Sequence, residues 1–252
     1  MLNHETRGRV AVLTLDRPEA RNAINPELAR ALSDAIGRVE ADPDVWAAVL
    51  AATPPVFSAG ADLRTIRDGH VADLHDAHGF AGLTRRQRTK VLVAAVDGPA
   101  LAGGMELVLA CDLVVASEAA SFGIPEVKRS LVAAAGGLFR LPRKIPVNVA
   151  MECAVTGDPI SARRAYEVGM INELCEPGAA LDTAMVLAGR VCANPPVAVR
   201  ESRRVILEQA LISDEVASLL SDHAFDRAFG SEDGAEGLAA FLEKRDPVWS
   251  GR

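Results

Sequence analysis

Apolar residues follow two patterns along the chain: short continuous runs and longer stretches at helical spacing. Arg9–Asp16 (RVAVLTLD) is rich in β-branched and apolar residues, which predicts a strand. Asn25-Pro26 supplies an N-cap and a proline at the first helical position, so we predict an amphipathic helix over 26–41. Continuous apolar runs, typical of strands buried on both faces, occur at Val45–Ala52, Val91–Val96 and Leu113–Ala116, with a short helical stretch at 104–111. This alternation predicts an α/β domain with largely parallel strands.

Two regions break the alternation. Residues 64–90 are polar, with three histidines and a basic run near the end, and we predict a mobile, mostly helical segment on the surface. After about residue 180 the pattern is purely helical, with a break at Asn194-Pro195-Pro196 and further helix starts at Ser213 and Ser231. We therefore divide the chain into a core, 1–194, and a helical C-terminal region, 195–252, which is too short to enclose a deep core alone.

Composition and charge exclude several classes of protein. Of the 252 residues, 49% are hydrophobic, as in soluble globular proteins, and the net charge of −7 argues against a general binder of nucleic acids or membrane surfaces. No apolar run approaches 18 residues, so no transmembrane helix is predicted, and the N-terminus lacks the pattern of a secretory signal. The four cysteines are widely spaced and indicate reduced thiols, so we expect a cytoplasmic protein.

Three segments combine small residues with carboxylates. In Phe57–Leu63 (FSAGADL), small side chains would let a ligand approach backbone N–H groups, although a plain strand-to-helix turn capped by Asp62 explains the same residues. In 97–106, Gly103-Gly104 opens a helix whose free N–H groups suit an oxyanion, and Glu106 shares a helix face with them. In 121–127, a proline precedes Glu126, which is also the pattern of an ordinary helix start. Two carboxylates and two backbone donors could together polarise a carbonyl and move protons at its α and β carbons.

The order of these segments, preceded by Leu15–Ile24 (LDRPEARNAI), resembles the crotonase (enoyl-CoA hydratase) family. The resemblance covers nearly the whole chain, including Thr156-Gly157-Asp158, the stretch 165–172 and the terminal Phe241–Arg245. It implies a right-handed spiral of β-β-α turns with a helical C-terminal region that mediates trimerisation. The strand and helix pattern described above agrees with this fold.

The resemblance also implies roles for individual residues. The N–H groups of Ala59 and Gly103 would form an oxyanion hole for a thioester carbonyl, and Glu106 and Glu126 match the glutamates that hold and activate water in hydratases. The residues implied to line the coenzyme A nucleotide or to complete the first loop are Ala20, Arg21, Ala23, Gly60, Ala61, Asp62 and Leu63. Because both glutamates are kept, we expect reversible syn addition of water to a 2-enoyl-CoA.

The resemblance leaves several alternatives open. Hydratases of the family typically have a glycine at the position of Ser130 and a proline-glycine at that of Ala133-Ala134, so the loop near the water is expected to differ in shape. A double-bond isomerase using one glutamate and a catalytically silent acyl-CoA-binding protein are the rival functions. Coenzyme A is part of the substrate, so neither a cofactor nor a metal is expected, although His70, His75 and His78 could form a metal cluster.

The C-terminal region carries the expected assembly and a local positive charge. The acyl-CoA substrate has phosphates, and Lys244 and Arg245 could meet them, or could instead complement a helix dipole. We expect a homotrimer or a dimer of trimers, because many apolar residues lie on helices that cannot enclose them. These residues are Leu207, Leu211, Val216, Leu219, Leu220, Phe225 and Phe229.

Overall fold

The structure is a computed structural model that describes residues 1–209 and 214–252. Its strands are β1 Leu2–Arg7, β2 Val10–Leu15, β3 Ala47–Ala52, β4 His75–Asp76, β5 Gly79–Phe80, β6 Val91–Val96, β7 Ala100–Leu101, β8 Leu113–Ser117, β9 Ser121–Gly123, β10 Ile160–Ser161 and β11 Glu173–Cys175. Its α-helices are α1 Pro26–Ala41, α2 Leu63–Arg67, α3 Gly103–Ala110, α4 Gly137–Lys144, α5 Val147–Thr156, α6 Ala162–Glu167, α7 Ala180–Cys192, α8 Pro196–Glu208, α9 Asp214–Phe229 and α10 Glu232–Glu243. Short 3₁₀ helices lie at Pro18–Ala20, Val71–Leu74 and Pro125–Arg129.

The main sheet has six strands in the order β1-β2-β3-β6-β8-β11. Only β1 and β2 pair in antiparallel fashion, and the other neighbours are parallel. The register places Val12 beside Val49 and Val49 beside Val93. This confirms the predicted α/β class with a largely parallel sheet.

Both faces of the sheet are covered, which explains why its central strands are apolar without alternation. On one face, Val49 and Val93 pack in a cluster with Ala184 and Ala188 of α7. On the other face, Leu50 belongs to the larger core that includes residues of α1 and α3. A second sheet, β10-β9-β7, lies outside the six-stranded one, and the elements that carry the candidate site adjoin it.

Helix α1 begins and ends where the sequence predicts. The Asn25 side chain accepts a hydrogen bond of 2.9 Å from the N–H of Leu28, and Pro26 opens the helix. Capping satisfies a donor that the first helical turn leaves free, which is why such a short local signal sets the boundary. The buried face of α1 includes Leu32 and Ile36, at the predicted helical spacing.

The prediction that the segment 64–90 is mostly helical is wrong, whereas residues 64–78, Leu74 excepted, lie at the surface as predicted. Only Leu63–Arg67 is α-helical, and the segment continues through a 3₁₀ turn into the hairpin β4–β5. Leu74, Phe80 and Leu83 are at most 3% exposed and belong to the core. Burying these three side chains outweighs the helical tendency of the polar residues around them.

The C-terminal region is helical, as predicted, and α8 is fastened to the core by charge. Arg203 and Arg88 both bind Asp112, at 2.9 and 3.1 Å, in a largely buried cluster. The Ser231 side chain caps α10 by accepting from the N–H of Gly234. Leu211 and the predicted helix start at Ser213 lie outside the described residues. Within 1–209 and 214–252, no helix is long and apolar enough to cross a membrane.

Candidate active site

The loop Phe57–Asp62 is held between two neighbouring segments by backbone hydrogen bonds. On one side, the N–H groups of Phe57 and Ser58 both donate to the carbonyl of Pro99. On the other side, the N–H of Ile24 donates to the carbonyl of Gly60 at 2.7 Å, and the carbonyl of Ile24 accepts from the N–H of Asp62 at 2.9 Å. The Ser58 hydroxyl is buried, donates to the Asn22 carbonyl and accepts from the N–H of Gly60, so this side chain has a structural role.

The structure corrects the predicted oxyanion donor of this loop. The N–H of Ala59 donates to the carbonyl of Arg21 at 3.0 Å, so it is already engaged within the protein. Two residues on, the N–H of Ala61 makes no hydrogen bond within the described chain, whereas every other N–H from 57 to 62 has an acceptor. Since an oxyanion needs an unengaged N–H, Ala61 replaces Ala59 as the candidate donor.

The second loop brings the start of α3 against the first. A Cβ atom on Gly60 would lie 2.7 Å from the nitrogen of Gly103, and one on Gly104 would lie 2.3 Å from the Ser58 carbonyl oxygen. Glycine at both positions is therefore what lets the two loops touch. Ala102, just before the helix, has φ 52° and ψ −129°, a conformation that costs a non-glycine residue roughly 1–3 kcal/mol. The strain sets the direction of the peptide that carries the Gly103 N–H.

Glu106 lies in the first turn of α3 and is 4% exposed. Its Oε1 accepts a hydrogen bond of 2.9 Å from the N–H of Gly137. Burial raises the pKa of Glu106, while the N–H groups of Gly137 and Ala135 and the charge of Arg140 act in the opposite direction. The site thus gives this carboxyl several partners that stabilise its ionised form.

Glu126 lies on the 3₁₀ helix Pro125–Arg129 and has a different environment. Burial, followed by the nearby charge of Glu106, raises the pKa of Glu126 to about 7. Its Oε2 is buried and has no hydrogen-bond partner in the described part of the chain. The charge of Glu106 thus acts on Glu126, and a pKa of about 7 lets Glu126 take up or release a proton near neutral pH.

The remaining residues of the first loop support its position. Asp62 caps α2 through the N–H of Arg64 and pairs with Arg17 at 2.7 Å, so the capping interpretation of this residue is confirmed. Arg17 also donates to the carbonyl of Ala23, which ties the segment 17–24 to the loop. Leu63 is 74% exposed, and the 3₁₀ helix Pro18–Ala20 precedes Arg21. These placements bring the implied substrate-lining residues Ala20, Arg21, Ala23, Gly60 and Leu63 to one pair of adjoining segments.

The structure shows which partners the C-terminal cations and the histidines of the segment 64–90 have. Arg245 binds Glu236 through Nη1 and Nη2, at 2.6 and 2.8 Å, and Glu243 through Nε, so it is engaged within the C-terminal region. Lys244, at the end of α10, makes no ion pair with the described residues. His70 pairs with Asp73, and no metal-binding group of three His, Cys, Asp or Glu residues occurs within the described ranges.

Sequence reasoning missed the contacts that position the glutamates. The aromatic ring of Phe80 packs on Gly103, since a Cβ there would lie 2.7 Å from the ring. In the turn at 135–137 the N–H of Gly137 donates to Glu106, and Gly136-Gly137 was the available sequence signal for this turn. The His75 ring lies 5.5 Å from the Phe80 ring, tilted by 57°.

Free backbone donors beside one buried and one half-buried carboxyl group make a candidate site that can stabilise an oxyanion and move protons next to it. Comparison with known proteins gives the family. The profile described as enoyl-CoA hydratase/isomerase matches residues 5–252, so the chain belongs to the enoyl-CoA hydratase/isomerase family.

Individual relatives cover almost the whole chain. An enoyl-CoA hydratase of Mycobacterium tuberculosis (strain ATCC 25618 / H37Rv) is 37% identical over 98% of this chain and 96% of its own length. A mevalonyl-coenzyme A hydratase of Aspergillus fumigatus is 37% identical over 95% of this chain and 91% of its own. The crystal structure of an enoyl-CoA hydratase from M. tuberculosis H37Rv superposes with a TM-score of 0.96 at 43% identity, covering 100% of this chain and 99% of that one.

Proposed function

We propose that the protein is an enoyl-CoA hydratase, a carbon–oxygen lyase that adds water reversibly across the double bond of a 2-enoyl-CoA thioester. The observation that carries this proposal is the retention of two carboxyl groups with different surroundings, the buried Glu106 and the half-buried Glu126. Relatives along the whole chain are named as hydratases, which supports the same reaction class. Coenzyme A arrives as part of the substrate, and the mechanism needs no further cofactor.

The thioester oxygen would be bound by two backbone donors, the N–H groups of Ala61 and Gly103. As water adds, negative charge develops on that oxygen, and preorganised N–H groups at the positive end of α3 stabilise it. The close approach of the two loops, where a Cβ on Gly60 would lie 2.7 Å from the Gly103 nitrogen, supports this pairing.

The two glutamates would divide the proton transfers. Glu106, whose ionised form accepts the Gly137 N–H, takes a proton from the water as its oxygen bonds to the β-carbon. Glu126, whose pKa is raised to about 7, holds a proton at rest and gives it to the α-carbon. After addition Glu106 is protonated and Glu126 ionised, and proton exchange with solvent restores the resting state.

Hydration is tested by following the loss of absorbance of the conjugated thioester when a graded series of 2-enoyl-CoAs is added. Glu106→Gln and Glu126→Gln keep the shape of each side chain and remove proton transfer, so each should lower turnover by about 10²–10⁴-fold. Glu152→Gln, on an exposed glutamate of α5, is the matched control and should retain turnover. Near-full activity of both site variants at normal substrate binding would contradict the acid–base assignment.

Isomerisation of a 3-enoyl-CoA is the second candidate, because one proton-carrying carboxyl beside an oxyanion site is sufficient for it. The raised pKa of Glu126 is the observation that favours it. A separate incubation with 3-enoyl-CoA would show a gain of the conjugated absorbance. A gain there, together with no change on 2-enoyl-CoA, would replace hydration with isomerisation.

We also propose that the protein works as a homotrimer or a dimer of trimers in the cytoplasm. Exposed apolar side chains are found on the C-terminal helices and on α5, where Met151 and Val155 are 56% and 60% exposed. Phe225 and Phe229 stack at 5.4 Å on the exposed side of α9. The cysteines are all free thiols, in keeping with a reducing compartment. Light scattering should give a trimer or hexamer, and an active monodisperse monomer would overturn the assembly.

A further inference from the structure

Arg140 lies on α4 and contacts two other segments of the chain. Its guanidinium is half-buried, and Nη2 donates to the Thr84 carbonyl at 2.5 Å. Nη1 donates to the Ala135 carbonyl at 3.4 Å, and the group stacks on the Phe139 ring at 4.7 Å from its centroid. One side chain thus bridges α4, the turn before it and the segment that follows β5.

The turn held by Arg140 is the one that binds Glu106. Ala135 presents its carbonyl to Arg140, and the N–H of Gly137 donates to the Glu106 carboxylate. The Ala135 N–H also lowers the pKa of Glu106. Gly136, between them, has φ +126°, and a Cβ there would lie 1.9 Å from Arg140 Nη1. The turn therefore has room for the guanidinium only because residue 136 is glycine.

The other contact of Arg140 reaches the oxyanion side. Thr84, whose carbonyl receives Arg140, accepts with its hydroxyl from the N–H of Phe80 at 3.0 Å. The Phe80 ring packs on Gly103. The Arg140 guanidinium therefore holds both the turn that orients Glu106 and the segment that positions the Phe80 ring against Gly103.

Few charged side chains act on Glu106 and Arg140. Arg140 and His75 act on Glu106, and Glu106 acts in turn on Glu126. Arg140 itself is influenced by Glu106, Arg143 and Arg88. The positive charge of Arg140 is thus the cation that both contacts the Glu106-binding turn and favours the ionised carboxylate.

We propose that Arg140 is a positioning residue for hydration, which holds the 135–137 turn and keeps Glu106 oriented and ionised for the attacking water. This inference rests on the proposed function. Misplacing a reacting group by about 1 Å costs on the order of 10²-fold in rate. Loss of the Arg140 contacts with the 135–137 turn should therefore lower the rate measurably.

Steady-state kinetics of Arg140→Gln over a pH series test the proposal. We expect kcat to fall by about 10–100-fold with little change in KM. Because loss of the cation raises the pKa of Glu106, the acidic limb of the kcat/KM profile should move upward by roughly one pH unit. Arg140→Lys keeps the charge and should return the limb towards its original position. Arg143→Gln, one turn along the same helix and stacked on the same ring, is the matched control and should leave the limb in place.

A second readout does not depend on turnover. In Glu126→Gln protein, ¹³C NMR of labelled glutamate follows the Glu106 carboxyl, and adding Arg140→Gln should move its titration to higher pH. If the wild type hydrates no enoyl-CoA, the proposed function fails, while this titration still tests the effect of Arg140 on Glu106. Identical titrations with and without Arg140, in variants shown to be folded by circular dichroism, would overturn the proposal. A lower kcat with an unmoved pH limb would reduce Arg140 to a purely structural role and would overturn it too.

Discussion

Replacing Glu126 with glutamine should make the protein more stable at alkaline pH. The folded-state pKa of Glu126 is raised from 4.5 to about 7, chiefly by burial, so folding is favoured while the group is protonated. A raised folded-state pKa contributes stability fully below the unfolded pKa, and the contribution is lost as pH rises through the folded pKa. The wild type therefore loses this stability between about pH 4.5 and pH 7. The Glu126→Gln variant does not lose it, because glutamine does not ionise.

The magnitude follows from the size of the pKa change. At about 1.4 kcal/mol for each pH unit, a fully buried carboxyl with this change would lose about 3 kcal/mol. Part of the Glu126 side chain contacts water, which screens the interaction, so we expect about 1–2 kcal/mol.

Urea unfolding of wild type and Glu126→Gln at pH 5 and pH 8.5, at one protein concentration, measures this difference. The free energy of unfolding of the variant, relative to that of the wild type, should increase by about 1–2 kcal/mol from pH 5 to pH 8.5. Glu152→Gln, on an exposed position, should show no such growth. Parallel loss of stability in wild type and Glu126→Gln would refute the assigned environment of Glu126.

Two further predictions concern the loops. Gly104→Ala should lower the rate of hydration by about 10²-fold, because its Cβ would lie 2.3 Å from the Ser58 carbonyl oxygen and would push the two loops apart. Gly189→Ala on α7 is the control, because the space around this glycine is open. That variant should keep its activity, and its free energy of unfolding in urea should rise by up to about 1 kcal/mol. Asn22→Ala should lower the free energy of unfolding by about 1–3 kcal/mol, since its buried amide donates to the carbonyls of Thr53 and Val56. An unchanged unfolding midpoint in the Asn22 variant would contradict that reasoning.

The parts of the fold that depend on local signals were predictable. Helix α1 begins at Pro26 because Asn25 caps it, and the β6 run Val91–Val96 lies where its uninterrupted apolar residues indicate. The segment 64–90 was not, because its conformation depends on burying Phe80 and its neighbours against distant elements. No local pattern of polar residues contains that information.

The candidate site divides in the same way. Glu106 and Glu126 could be identified from motif order, because carboxylates must be present in the sequence to act. The choice between Ala59 and Ala61 could not, since it depends on which N–H meets the carbonyl of Arg21, a residue nearly forty positions away. Arg140 likewise has no signal of its own, because its role arises from carbonyls at Thr84 and Ala135.

The cluster formed by Arg88, Asp112 and Arg203 has a consequence for how the molecule opens. Asp112 also accepts from the N–H of Leu92 at the edge of β6, so one carboxylate joins the sheet to α8. Partial detachment of α8 would leave the buried Arg88–Asp112 pair without its second guanidinium and would expose the cluster to water. The amides of β6 and α8 should therefore exchange their hydrogens in a single cooperative unit, and the helices beyond α8 should form the more labile layer.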